Sequence, residues 1–189
     1  MRRQLIIVAA VAVMAASTGY FVARMLAPAA VPARAAIQPA AAGLNAAAAV
    51  VGERRPDFTL ADGAGQPVSA ERFDGQVMLV NFWATWCTPC VEEMPMLSQL
   101  QRDYAGRGFS VVGIALDEPQ RARAFAQELG VDYPLLFGLA DAMVVGRRYG
   151  NGTGMLPYSV LVDANGIIRW TRLGVLDPAQ VESELASVL

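Results

Sequence analysis

The apolar run Val77-Met78-Leu79-Val80-Asn81-Phe82-Trp83 leads almost directly into Cys87-Thr88-Pro89-Cys90, and these are the only two cysteines of the chain. Such a run reads as a strand buried on both faces. Pro89 suits the first turn of a helix, where its missing N–H costs no hydrogen bond. The pattern therefore predicts a strand that delivers a C-x-x-C pair to a helix start. Two thiols this close can open and close a disulfide without moving the fold, which makes the arrangement a redox device. The alternative is a purely structural bridge. It is the weaker reading, because a ring closed over two residues removes little entropy from the unfolded chain.

Composition narrows the chemistry further. The 189 residues include no histidine, and all 15 basic residues are arginine. A Ser-His-Asp or Cys-His arrangement needs an imidazole, and a Walker loop or Schiff base needs a lysine ammonium. A structural zinc site needs about four N/S ligands, which two cysteines without histidine do not supply. No metal site is expected, and the two thiols remain as the reactive groups.

Charge is distributed unevenly. Arg2, Arg3, Arg24 and Arg34 precede residue 50, while all 17 acidic residues follow it. The later part thus sets 11 arginines against 17 acids, a balance of −6. Such a body has no broad basic face, and nucleic acid is not an expected partner. The pairs Arg54-Arg55 and Arg147-Arg148 are read as solvated surface.

Three zones follow along the chain. Residues 1–26 open with Met1-Arg2-Arg3 and hold an uncharged stretch from Leu5 to Ala23, bounded by Arg24. As a helix it would rise roughly 28 Å, close to the hydrocarbon thickness of a bilayer. The leading arginines favour a cytoplasmic N-terminus with the remainder outside. An uncleaved membrane anchor is the favoured reading. A cleaved signal peptide is the alternative, with Ala27-Pro28-Ala29 a passable processing site. Residues 27–52, rich in alanine with Pro28, Pro32 and Pro39, read as a tether. Residues 53–189 are of a size to form one domain.

Within that domain the pattern predicts a short strand at Phe58–Leu60 with a turn at Ala61–Gly65, then the strand Val77–Trp83. The following helix should run to about Tyr104 with a kink at Pro95. Phe109–Leu116 is the next strand. Pro119–Leu129 reads as a helix with Ala122, Phe125, Ala126 and Leu129 on one face. Tyr133–Phe137 suggests an added strand, and Asp141 a cap for a helix through Tyr149. Tyr158–Val162 and Ile167–Leu173 are strands joined by the turn Asp163-Ala164-Asn165-Gly166. Asp177-Pro178 opens a last helix that uses Val181, Leu185 and Val188.

Asn81-Phe82-Trp83-Ala84-Thr85-Trp86-Cys87-Thr88-Pro89-Cys90, together with Glu93-Met94-Pro95, resembles the thioredoxin superfamily, and within it the TlpA-like membrane-anchored thiol–disulfide reductases. The resemblance implies an α/β thioredoxin fold, a central mixed sheet flanked by helices. The residues before Val77 would form an N-terminal β extension, and Pro119–Tyr149 a central αβ insertion.

Cys87, at a helix N-terminus, is expected to be the attacking thiol, its thiolate favoured by free N–H groups and the helix dipole. Cys90, one turn on and more buried, would resolve the mixed disulfide. Trp86 would be a partly exposed platform for a partner, while Phe82 and Trp83 belong to the core. Thr88 and Pro89 help to set the redox poise. Strongly oxidising relatives commonly carry a histidine between the cysteines, and its absence favours a reductase. The resemblance further implies that Pro157 is a cis proline facing the cysteines, with Leu156 offering backbone hydrogen bonds to an extended substrate. It implies that Glu93, on the helical face of Cys90, assists proton transfer. The plain alternative is a carboxylate favoured by the first turns of a helix. Asn81 departs from ordinary thioredoxins, which place a buried aspartate there, and an amide cannot titrate. Tyr158 is bulkier than expected after the proline. Gly150-Asn151-Gly152-Thr153-Gly154 superficially suggests a phosphate loop but precedes a strand, and reads instead as a flexible approach to Pro157.

The resulting expectation is a thiol–disulfide oxidoreductase without a cofactor beyond the Cys87–Cys90 pair. It would lie outside the cytoplasm, tied to the inner membrane, and reduce disulfide-containing clients, apocytochrome c among those the resemblance implies. A transmembrane thiol carrier would re-reduce it. Two other classes compete with this reading. A thiol peroxidase of peroxiredoxin type shares the fold and an N-terminal extension. A copper(I) chaperone would use Cys87, Cys90, Met94 and Met96 as soft ligands.

Overall fold

The computed structural model describes residues 51–189, so the anchor or signal segment at 1–26 and nearly all of the tether lie outside the described residues. Among the described residues no helix is long and apolar enough to cross a membrane. Twelve elements follow in order: β1 (Thr59–Asp62), β2 (Pro67–Ser69), a 3-10 turn (Ala70–Phe73), β3 (Val77–Trp83), α1 (Thr88–Tyr104), β4 (Phe109–Ala115), α2 (Pro119–Glu128), β5 (Leu135–Phe137), α3 (Leu139–Arg148), β6 (Tyr158–Val162), β7 (Ile168–Leu173) and α4 (Pro178–Ala186).

The strands make one sheet in the order β2-β1-β5-β4-β3-β6-β7. β3, β4 and β5 run parallel, while β1 joins β5, β6 joins β3 and β7 joins β6 antiparallel. β3-α1-β4 and β6-β7-α4 are therefore the two halves of the expected thioredoxin fold. β1–β2 is the N-terminal extension, and α2-β5-α3 is the insertion.

β3 is central, which explains its uninterrupted apolar run: all seven residues are buried. On one face Met78, Val80 and Phe82 pack with Val112, Ile114 and Leu136, under Ala142 and Val145 of α3. On the other, Val77 and Leu79 pack with Leu97 and Leu100 of α1 and Val181 and Leu185 of α4. Gly113 of β4 lies opposite Asn81. A Cβ at Gly113 would come within 2.5 Å of Leu135 Cδ2 and 3.0 Å of Tyr133 Cε2, so this position has to be bare.

Several local expectations change. The first strand begins one residue later than Phe58 and includes Asp62, whose carboxylate accepts hydrogen bonds from Ala64 and Gln66 N–H and so builds the turn itself. Asp141 sits in the first turn of α3, whose N-cap is Gly138. Leu129 is exposed at the end of α2 instead of facing inward with Ala122 and Ala126. Arg55 is not solvated: its side chain is buried, with Nη1 on Asp57 at 3.1 Å and Nη2 on Asp74 at 2.5 Å. An arginine stem laid on apolar surface buries well when its guanidinium keeps acidic partners at the rim. Gly52, the last tether residue, already donates to Ile168 O at 2.8 Å.

Gly113→Ala is expected to lower unfolding stability by about 1–3 kcal/mol through overpacking against Leu135 and Tyr133. Urea denaturation checks it; an unchanged midpoint would contradict the close approach.

Candidate active site

β3 ends at Trp83, and the turn beyond it is held from β4. Leu116 N–H donates to Trp83 O at 2.8 Å. Asp117 Oδ2 accepts from Thr85 N–H at 3.0 Å and from Thr85 Oγ1 at 2.5 Å, while Oδ1 accepts from Glu118 N–H at 2.7 Å. Burial pushes the Asp117 carboxyl up, but the hydrogen bonds from Thr85 and Glu118 and the charge of Arg121 outweigh it, so it stays below its ordinary value. The chain then turns at Trp86 and enters α1 with Cys87 as N-cap and Pro89 in the first turn.

Cys87 and Cys90 are joined as a disulfide with Cα atoms 5.3 Å apart. Cys87 is 6% exposed and Cys90 is wholly buried, so the first cysteine is the more accessible of the two. Trp86 is 66% exposed beside it. Thr88 is exposed and Pro89 half-buried. Both cysteines belong to an apolar cluster with Trp83, Ala84, Met94, Ala115 and Phe137, and with Ala122 and Ala126 of α2. The insertion thus walls one side of the disulfide.

The Leu156–Pro157 peptide bond is cis. Leu156 packs against the cluster that contains both cysteines. Pro157 O accepts from Gly174 N–H at 2.9 Å, which ties this loop to the end of β7. The glycine-rich approach is more constrained than expected: Asn151 is buried and its Nδ2 donates to Met155 O at 2.8 Å. Tyr158 turns away to the opposite face of the sheet, where its hydroxyl donates to Tyr149 O at 3.1 Å. Its bulk therefore does not crowd the disulfide.

Glu93 lies one turn beyond Cys90 and is 4% exposed. A plain first-turn carboxylate would face water, and this one faces the sheet. Asn81 Nδ2 donates to Glu93 Oε1 at 2.7 Å and to Ser159 Oγ at 3.0 Å. Leu176 N–H donates to Oε2 at 3.0 Å. Burial raises the Glu93 carboxyl above its ordinary 4.5, and the bonds from Leu176 and Asn81 offset this only in part.

Ser159, Leu176 and Asp117 were not singled out from sequence. Asp117 carried one usable signal, its place at the C-terminal end of a strand parallel to β3, where loops of such sheets meet. Met94 is fully buried in the apolar cluster, so it does not join the sulfurs as a surface copper ligand. Among the described residues no three His, Cys, Asp or Glu side chains converge as a metal site.

The chain matches the AhpC/TSA family over residues 51–171. It is 30% identical over 142 residues to the thiol-disulfide oxidoreductase ResA of Geobacillus thermodenitrificans, covering 75% of this chain and 79% of that protein. It is likewise 30% identical to the thioredoxin-like protein YneN of Bacillus subtilis, covering 71% and 78%. Among solved structures it resembles one from Chlorobium tepidum described as thiol:disulfide interchange protein DsbE. That match has a TM-score of 0.68 and 29% identity, covering 74% of this chain and 97% of the other.

The raised Glu93 pKa has a stability consequence. Between the ordinary carboxyl value and the higher folded one, the native state holds more protons than the unfolded chain, so stability falls as pH rises. The oxidised protein is expected to lose unfolding free energy as pH rises from about 4.5 toward neutrality, and Glu93→Gln to lose that component of the slope. Urea titrations across this window decide it; identical slopes would contradict it.

Proposed function

We propose that this chain, which belongs to the AhpC/TSA family and to the TlpA/ResA/DsbE-like thiol–disulfide oxidoreductases of the thioredoxin superfamily, works as a reductase of disulfides in extracytoplasmic proteins. One observation carries the reading: the Cys87–Cys90 disulfide sits at the start of α1 with Cys87 the more accessible, and Leu156 of the cis Leu156–Pro157 bond packs on the same apolar cluster. The absence of histidine from the chain supports reduction over oxidation, since no imidazolium is present to stabilise the thiolate of the reduced form.

In the proposed cycle the reduced Cys87 thiolate attacks one sulfur of a client disulfide. A mixed disulfide forms and the client's other sulfur leaves as a thiolate. Free N–H groups and the dipole at the start of α1 favour the attacking anion. The Cys90 thiol then gives its proton to Glu93 and attacks Cys87 Sγ. The Cys87–Cys90 bond forms, and the client leaves with both sulfurs reduced. Two electrons have passed to the client, so a dithiol donor must reduce the pair again. Trp86, Thr88 and Pro89 on one side and Leu156 with Pro157 on the other would hold the client strand. Leu156 would offer backbone hydrogen bonds to it.

The N-terminal residues support the location. An uncharged stretch of bilayer length behind Arg2 and Arg3 fits an anchor in the inner membrane with residues 53–189 on the periplasmic side. A transmembrane thiol carrier is the donor that such a placement calls for, and apocytochrome c is one client with the required cysteines.

The AhpC/TSA match favours one second reading, a thiol peroxidase. There the Cys87 thiolate would cleave a peroxide O–O bond and become a sulfenic acid, which Cys90 would condense to the disulfide with loss of water. The residues packed around the pair are apolar, which suits a docked peptide better than a peroxide held by polar groups.

Insulin disulfide reduction by the wild-type protein is expected to fall to background in Cys87→Ser. Cys90→Ser is expected to accumulate mixed disulfides on Cys87. Undiminished activity in Cys87→Ser would refute the cycle, and rapid peroxide consumption with a trapped sulfenic acid would transfer the assignment to the peroxidase.

A further inference from the structure

Among the described residues four buried side-chain polar atoms lack a hydrogen-bond partner, and three of them belong to one neighbourhood: Asn81 Oδ1, Trp83 Nε1 and Tyr133 Oη. Asn81 and Trp83 are two apart on β3 and share a face. Gly113, the register partner of Asn81, lies beside them on β4. A Cβ on Gly113 would lie 3.3 Å from Trp83 Nε1 and 3.0 Å from Tyr133 Cε2, so both rings reach over the bare glycine. A buried polar atom left unpaired loses its hydration without a compensating bond. Three at one place mark a site in need of a ligand.

The donor set specifies that ligand. The Trp83 indole only donates, the Asn81 carbonyl oxygen only accepts, and the Tyr133 hydroxyl does either. The indole N–H disfavours a cation. An anion is disfavoured by Asn81 Oδ1 and by the Glu93 carboxylate that Asn81 holds at 2.7 Å. A neutral molecule that both donates and accepts, and makes about three bonds in a polar niche, is water. We propose that Asn81, Trp83 and Tyr133 bind one water molecule between the disulfide shell and Glu93, and that Tyr133 is a positioning residue for proton transfer at Glu93. This rests on the reading of Glu93 as the proton acceptor.

The placement follows from the clusters. Trp83 packs with both cysteines, and Asn81 is hydrogen-bonded to the carboxylate. A water here accepts from Trp83 Nε1–H and donates to Asn81 Oδ1. It thereby fixes the amide so that Nδ2 stays on Glu93 and Ser159. Asn81 and Ser159 are uncharged, and the titration of Glu93 is governed by burial and its two hydrogen bonds without a charged neighbour. Tyr133 is the titratable group across from it, and burial followed by the charges of Glu93 and Asp132 pushes its hydroxyl pKa upward, so it remains protonated.

Tyr133→Phe in the full chain, held in detergent, tests the proposal. Two readouts are used: the pH midpoint of the disulfide-reduction rate, and the NOE between the Trp83 indole proton and water. The wild type is expected to show the NOE. The variant is expected to lose it and to shift the midpoint upward by about half a unit or more, because an Asn81 amide no longer fixed by the water holds the Glu93 carboxylate less well. A role limited to packing would reduce stability and leave the midpoint in place. A missing NOE in the wild type, or an unmoved midpoint in the variant, overturns the proposal. Glu93→Gln separates the two readings. If it leaves the pH profile unchanged, Glu93 is not the acceptor and the Tyr133 role falls with it, while the NOE still decides whether the site holds water.

Discussion

A carboxylate buried without a cation must be held by neutral donors, and the hydrogen bond from Asn81 to Glu93 is where this domain meets that requirement. It joins the central strand to the helix that carries the cysteines, one turn below Cys90. The donor is an amide, so it neither titrates nor neutralises the charge. Burial therefore keeps the Glu93 carboxyl above its ordinary range while geometry stays fixed. Leu176 N–H closes the other oxygen from the segment between β7 and α4. Two distant parts of the chain thus converge on one acid of α1, three residues after Cys90.

The rest of the site leaves Cys87 slightly exposed and Cys90 wholly buried. β3 runs through the middle of the sheet and leaves it at Trp83, where Asp117 from the parallel neighbour grips Thr85. That grip sets where α1 begins, and hence where Cys87 lies. The insertion then covers the remaining side through Ala122, Ala126 and Phe137. Cys90 is fully buried, Leu156 packs on the same cluster, and Trp86 and Met155 are both exposed.

Much of this was legible along the chain, because its signals are local. The apolar run at Val77–Trp83 is what a strand buried on both faces requires. Pro89 and Pro178 mark helix starts, and Asp177 caps α4 by accepting from Ala179 N–H at 3.1 Å. The hairpin turn after Val162 is written in Asp163, whose Oδ1 accepts from both Asn165 and Ile167 N–H. What misled was in part a matter of partners distant in sequence and in part of where elements end. Arg55 looked solvated because Asp74, which holds it, is nineteen residues away. Leu129 fitted the helical stripe, yet α2 ends before that face meets the sheet. Tyr158 reads along the chain only as bulkier than expected after the proline, because a period of two does not say which face of a sheet is which.

By itself the order of residues determined the redox chemistry and the fold that carries it. Two thiols spaced for a ring at a helix start, in a chain without histidine or lysine, leave few other reactions. The tertiary structure alone decided the surroundings of the buried Glu93 carboxyl. Asn81, Glu93, Tyr133, Ser159 and Leu176 span almost a hundred positions, and nothing in their local patterns relates them. Their proximity exists only once β3, β4 and β6 are in register and α1 lies across them, because the desolvation that lifts a carboxyl pKa is a property of packed neighbours and not of sequence.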